Sequence, residues 1–255
     1  MKKLTAIMAL LLCSGLAQAR TYDEIISSKT IRIGVPADYA PLAFYDNQNS
    51  LVGFDIDMAK DLAKKLNVTP EFYITSWPTL SQDLAADKYD VAMGGVTYTK
   101  DRAAKFLLSD QVVPNGKIAL AACDMAPQLS NLDAINQPNV KVVVNPGGTN
   151  ESFVNQNIHT AHIIRVKNNI DNLQALRDKT ADMMVTDLIE GHYYENKEPN
   201  VLCLATVKPF EGTESYKAYM VQLNNKKLMD EINNWLPNSN KEQLAIKWGV
   251  ITHLN

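Results

Sequence analysis

The stretch Lys141-Val142-Val143-Val144-Asn145-Pro146-Gly147-Gly148-Thr149-Asn150-Glu151 decides how the chain is built. Its β-branched run reads as a buried strand, Pro146-Gly147-Gly148 as a tight turn, and the residues from Thr149 onward as the start of a helix. A strand feeding through a glycine turn straight into a helix is the unit from which α/β folds are assembled. The same alternation extends in both directions. Residues 31–35, 71–75, 90–95, 117–122, 162–166, 182–186, 201–205 and 216–223 read as further strands. Phe54, Met58, Ala59, Leu62, Ala63 and Leu66 fall on one face of a helix, with Lys60, Asp61, Lys64 and Lys65 on the other. Other helices are expected after Trp77-Pro78, from about Thr149, over 171–179, from Asp187, over 226–236 and over 241–248. Crossover connections of this kind imply parallel sheets, with a ligand crevice beyond the carboxyl ends of the strands.

Composition narrows the function. The 255 residues carry 25 Lys and Arg against 28 Asp and Glu and are 46% hydrophobic and 21% charged, the profile of an ordinary globular protein. No apolar run is long enough to span a bilayer, and no dense basic run is present to neutralise phosphates, so neither membrane insertion nor nucleic-acid binding is expected. A small-molecule ligand is. Residues 1–19 hold a basic start (Lys2, Lys3), an apolar stretch over 7–12 and Ala17-Gln18-Ala19, the small-x-small pattern that a signal peptidase cuts. Export with cleavage after Ala19 is expected. Cys13 follows Leu12 rather than a small residue, which argues against lipid attachment. Of the remaining cysteines, neither Cys123 nor Cys203 lies in a C-x-x-C arrangement. In an oxidising compartment such a pair is expected as a disulfide, two unrelated buried thiols being the alternative.

Three segments carry chemistry. Gly94-Gly95-Val96-Thr97-Tyr98-Thr99-Lys100-Asp101-Arg102 offers backbone N–H groups at a glycine pair, a hydroxyl at Thr97 and a guanidinium at Arg102 that can fork onto a carboxylate. The bland reading is a turn into a helix with Arg102 solvated. Gly147-Gly148-Thr149-Asn150 opens a helix whose free N–H groups and dipole favour an anion, or else it is a simple capped helix with Thr149 or Asn150 as the cap. It lacks the Lys-Ser/Thr ending of a P-loop. Thr186-Asp187-Leu188-Ile189-Glu190 either satisfies the first turn of a helix with both carboxylates, or places Asp187 toward a ligand's cationic or hydroxyl group and Glu190 at the crevice as a general acid. Trp77 is an apolar wall of the crevice or a core residue. Asp55 and Asp57 read as dipole partners of the helix they begin. His159 and His162 form an H-x-x-H pair without a third ligand, so no metal is expected, and neither a G-x-S-x-G nor a G-x-G-x-x-G occurs to support hydrolase or dinucleotide chemistry.

Taken in order, residues 31–35 with Asp38-Tyr39-Ala40-Pro41, Gly53-Phe54-Asp55-Ile56-Asp57, Tyr89-Asp90, Thr97 to Arg102, residues 106–110, Gly148-Thr149 and residues 181–187 resemble the family-3 periplasmic solute-binding proteins for amino acids. The resemblance implies a periplasmic-binding-protein type II fold: two α/β lobes joined by two crossing strands, with the ligand cleft between them. It places one lobe at 20–113 plus 215–255 and the other at 114–214. It also implies that Arg102 and Thr97 hold a ligand carboxylate, that Asp187 holds an ammonium, and that Gly95, Gly148 and Asp38 border the ligand. Within the family, Thr75-Ser76-Trp77-Pro78, residues 144–151, Met183-Met184 leading into Thr186-Asp187, Ile189-Glu190 and Lys217-Ala218-Tyr219 look closer to the cyclohexadienyl dehydratases. Those enzymes convert prephenate to phenylpyruvate and arogenate to phenylalanine. That likeness implies Glu190 as proton donor, Asn150 and Thr149 as holders of substrate carboxylates, Lys117 as charge support, a dicarboxylate substrate and no cofactor. The alternative is a periplasmic subunit that delivers an amino acid to a transporter; the oligomeric state is not legible.

Overall fold

The computed structural model describes residues 19–251. Apart from Ala19, the expected export segment lies outside the described residues. Two five-stranded sheets organise the chain. The first runs Thr69–Ile74, Thr30–Val35, Val91–Ala92, Met220–Gln222, Phe106–Leu108 in spatial order, the second His162–Arg165, Lys141–Val144, Met183–Asp187, Lys117–Ala122, Leu202–Leu204. Each is parallel on one side and antiparallel on the other, because Met220–Gln222 and Lys117–Ala122 each run against both of their neighbours. The all-parallel expectation is thus corrected to mixed sheets. Between the two lobes lies an antiparallel pair, Val113–Asn115 with Ser215–Lys217.

The sequence pattern explains most of this. Phe54–Leu66 buries Phe54, Met58, Ala59, Leu62, Ala63 and Leu66, the face that its periodicity marks, against the first sheet, and Asn67 ends it in the left-handed conformation. In the second lobe alternate residues of the central strands supply two cores. Val142, Val144, Met183 and Val185 face one way, and Val143 and Met184 the other. This is what a sheet covered on both faces requires.

Two expected strands change, and three short unexpected ones form. Residues 90–95 form only Val91–Ala92, since Gly94 and Gly95 turn to positive φ and leave the ladder. Residues 216–223 split into a crossing strand and a sheet strand, because Lys217 and Tyr219 turn inward to buried partners. Asp38–Tyr39, Ala43–Tyr45 and Leu51–Val52, which have no strand-length run, form a small sheet of their own.

The lobes touch across the cleft. Gly147 takes φ +90, and a Cβ there would lie 2.3 Å from the backbone nitrogen of Pro78 on the opposite lobe. At the far end of the second lobe Cys123 and Cys203 are disulfide-bonded, with Cα atoms 4.8 Å apart and a sequence separation of 80.

Two outcomes follow from these contacts. Gly147→Ala should disfavour closure, enlarge the radius of gyration seen by small-angle scattering, and weaken ligand binding about tenfold or more, equivalent to ~1.4 kcal/mol. Replacing both cysteines by serine should lower unfolding free energy by about 2–4 kcal/mol, as denaturant titration measures it, because a long loop is released in the unfolded chain.

Candidate functional site

Both sheets present the carboxyl ends of their parallel strands to the cleft, and the loops leaving them form its walls. The cavity there is small, about 20 Å³, and is walled by Tyr39, Trp77, Gly95, Thr97 and Arg102 from the first lobe and by Asn145, Gly148, Thr149, Asn150, Asn169 and Asp187 from the second. Trp77, Thr97, Arg102, Gly148 and Thr149 also border a wider outer groove, which reaches Lys117.

Asp187 is the electrostatic centre. It is the N-cap of the helix Leu188–Lys197, but its side chain makes no capping hydrogen bond. Oδ1 instead accepts from Asn115 Nδ2 at 2.8 Å and Lys117 Nζ at 2.8 Å, and Oδ2 from the Tyr39 hydroxyl at 2.6 Å and Lys217 Nζ at 2.7 Å. Burial alone would raise this carboxyl; Lys117 and Lys217 overcome it and hold the group well below the usual carboxylate range. The family resemblance implies that Asp187 holds a ligand's ammonium. In the structure the chain's own ammonium groups are there.

Each lysine has three acceptors. Lys117 Nζ also donates to Thr149 Oγ1 at 2.8 Å and Asn150 Oδ1 at 2.6 Å, and Lys217 Nζ to the Gly95 carbonyl at 3.0 Å and Thr97 Oγ1 at 3.0 Å. Burial lowers the pKa of Lys217, and Asp187 opposes that shift.

Glu190 sits in the first turn of the same helix and is fully buried. The Thr186 hydroxyl bonds its Oε2, and Asn169 Nδ2 donates to its Oε1 at 2.6 Å. Burial is the largest influence and pushes the carboxyl up to about 8, against the pull of those two hydrogen bonds. Neither carboxylate of the Asp187–Glu190 pair caps its helix, so the bland reading of that motif fails. Glu190 is not itself a wall residue. The amide of Asn169 stands between it and the cavity, and Asn169 also bonds Asp38 across the cleft, its N–H to Oδ2 at 3.2 Å and its Nδ2 to the Asp38 carbonyl at 3.1 Å. Asp38 further accepts from Trp77 Nε1 at 2.9 Å and lies behind the wall.

The glycine pair behaves differently from the sequence expectation. Gly94 and Gly95 direct their N–H groups inward, to Asp55 Oδ2 at 3.1 and 2.8 Å, and not toward a ligand. Asp55 also accepts from the Tyr219 hydroxyl, so it braces this loop in addition to starting its helix; burial raises its pKa to about 6. Arg102 reaches the cavity with Nη1 bonded to the Thr97 carbonyl at 2.6 Å, and burial lowers its pKa. At the other loop the N-cap is Gly148, not Thr149 or Asn150, and no side chain caps the first turn. The first-turn amides are thereby left for an anion. Tyr39, Asn145, Asn169, Thr186 and Lys217 were not singled out as site residues from sequence. Lys217 had a signal: a lysine placed where its strand is otherwise turning into the protein interior.

A family model for bacterial extracellular solute-binding proteins, family 3, matches residues 31–249. The chain belongs to that family. Cyclohexadienyl dehydratase of Pseudomonas aeruginosa is 34% identical over 217 residues, which are 85% of this chain and 80% of that relative. Among solved structures, an ancestral amino acid-binding protein described as a precursor of cyclohexadienyl dehydratase matches with a TM-score of 0.81 at 32% identity, over 89% of this chain and 98% of that one. A variant of an ancestral cyclohexadienyl dehydratase shares 41% identity over 91% of this chain and 97% of that one, with a TM-score of 0.53. The fold is the periplasmic-binding-protein type II fold. Among the described residues no helix is long and apolar enough to cross a membrane.

The carboxyl of Glu190 titrates near 8 in the folded chain and near 4.5 when exposed. The folded state therefore binds more protons between those values, and stability must fall as pH rises through that window. Asp55 contributes in the lower part. Glu190→Gln should remove its own share, so chemical denaturation at about pH 6 and about pH 8 should show the unmodified chain losing stability relative to the variant.

Proposed function

We propose that this chain is an exported cyclohexadienyl dehydratase, which converts prephenate to phenylpyruvate with Glu190 as general acid, in the periplasm after cleavage at Ala19. One observation carries this reading: a carboxylic acid that burial keeps protonated to about pH 8 lies a single side chain behind the wall of the interlobe cavity that Arg102 lines. A protein that only captures and releases a ligand has no use for such an acid. The similarity to dehydratases, ancestral and present-day, supports the same reading.

The chemistry asks little else of the protein. Glu190 gives its proton to the ring hydroxyl of the substrate, water leaves, the bond to the ring carboxylate breaks, and carbon dioxide departs while that electron pair completes the aromatic ring. Aromatisation supplies the driving force. Arg102, the first-turn amides at Thr149 and Asn150, and the Asn150 side chain hold the carboxylates, with Thr97 assisting and Trp77 and Tyr39 flanking the ring. Lys117 fixes Thr149 and Asn150 in place through its two hydrogen bonds. The Asn169 amide turns aside when substrate enters, bringing the acid within about 2.6–3.2 Å of the leaving oxygen. Closure of the lobes excludes water and keeps Glu190 neutral. Arogenate, which differs in carrying an amino group, would follow the same steps if the pocket admits it.

Purified protein incubated with prephenate should generate the ultraviolet absorbance of phenylpyruvate. Glu190→Gln should reduce turnover by about 10²-fold or more while keeping fold and ligand binding, and activity of the unmodified chain should decline above about pH 8 as the acid ionises. Tight amino-acid binding together with prephenate decay at the uncatalysed rate would instead make this a transporter's binding subunit.

A further inference from the structure

The loop that delivers Thr97 and Arg102 to the cavity is built around a carboxylate that is not part of the cavity wall. Gly94 and Gly95 take φ +87 and +93, and their two N–H groups converge on Asp55 Oδ2 at 3.1 and 2.8 Å. The Tyr219 hydroxyl donates to Oδ1 at 2.9 Å. Successive amides aimed at one point make an anion seat, and here the anion is the chain's own. From this seat the restraint passes along the backbone. Lys217 Nζ holds the Gly95 carbonyl and the Thr97 hydroxyl, each at 3.0 Å, and a Cβ at Gly95 would lie 2.6 Å from the Tyr39 ring. The Thr97 carbonyl then accepts from Arg102 Nη1 at 2.6 Å. Among the described residues that is the one hydrogen bond the Arg102 side chain makes, so the rest of its fork is left for the cavity it borders.

We infer that Asp55 is a positioning residue for the ligand's carboxylate: by gripping the Gly94 and Gly95 amides it fixes the Thr97 carbonyl, and through that carbonyl the direction in which Arg102 presents its fork. This rests on the proposed function only for Arg102 as the holder of a carboxylate, a part it plays whether the chain turns its ligand over or merely carries it. A bidentate fork loses one of its two bonds when the guanidinium is displaced, so slack in the loop weakens binding. Proton transfer is spared, because Glu190 is held by Thr186 and Asn169 of the other lobe. Charge adds to the grip, since hydrogen bonds to an ionised acceptor are about twice as strong as neutral ones. Asparagine at position 55 keeps an acceptor for the two amides and turns its own N–H to the Tyr219 oxygen, which restores the shape with a weaker hold. Alanine leaves both buried amides without an acceptor and frees the loop.

Calorimetric titration with phenylpyruvate, a carboxylate probe, tests this without any turnover, at a pH above the Asp55 value of about 6. Asp55→Ala should weaken binding about tenfold or more, and Asp55→Asn should recover most of that loss, leaving a deficit of about threefold. Both losses should vanish in an Arg102→Gln background, where no fork remains to be aimed. Lower unfolding free energy with unchanged affinity, as a merely structural role gives, overturns the inference. So do losses that simply add to that of Arg102→Gln, and so does failure of the unmodified chain to bind phenylpyruvate. Should Asp55→Ala fail to fold, Asp55→Asn with and without Arg102→Gln decides alone. Turnover is the second readout: Asp55→Asn should raise KM for prephenate by the same factor as it weakens phenylpyruvate, with kcat held within about twofold. A fall in kcat at unchanged KM overturns the inference and leaves the dehydratase reading intact. Prephenate decay at the uncatalysed rate, with the phenylpyruvate series as expected, overturns the dehydratase reading and supports the inference.

Discussion

The arrangement at Asp187 holds the rest together. Four elements converge on one carboxylate: the small sheet through Tyr39, the two crossing strands through Asn115 and Lys217, and the opening strand of the second lobe through Lys117. Buried ions of this kind gain little net stability, since desolvation offsets most of the Coulomb attraction, but removing one partner leaves an unpaired charge and is strongly destabilising. Their effect is therefore on geometry. The carboxylate fixes where the crossing strands enter the second lobe and how near the Tyr39 segment can come, and so sets the width of the cleft.

The same cluster shapes its neighbour. Glu190 lies three residues from Asp187, which adds to burial in keeping the second acid uncharged. Two carboxyls in adjoining surroundings are thus driven in opposite directions, one ionised by lysines and one left neutral by exclusion of water. That separation places an ionised and a neutral carboxyl side by side on one helix turn.

The architecture was open to reading from sequence because it depends on periodicity. Alternating strands and helices, the buried face of Phe54–Leu66 and the glycine turn at Gly147 are local patterns with local causes. The site was legible only in part. Sequence placed Thr97, Arg102, Thr149, Asn150 and Asp187 at the carboxyl ends of strands, and they do border one cavity. It could not show that the amides of Gly94 and Gly95 are spent on Asp55, because that partner is about 40 residues away in the chain. Nor could spacing choose between a helix cap and a cleft carboxylate at Asp187 and Glu190; the choice is made by Lys217, Asn115 and Asn169, which arrive from distant segments. The run of three asparagines, Asn145 to Asn172 to Asn169, joining the anion loop to Glu190 by side-chain hydrogen bonds, leaves no periodic trace at all.

Because Tyr39 reaches Asp187 across the gap, and Asn169 reaches Asp38, the shut form is latched by the polypeptide's own side chains. Pulling the lobes apart therefore means exposing charged groups as well as apolar ones, so the hinge works against a polar clasp, and trimming the Tyr39 hydroxyl loosens that clasp while leaving both lysines on Asp187.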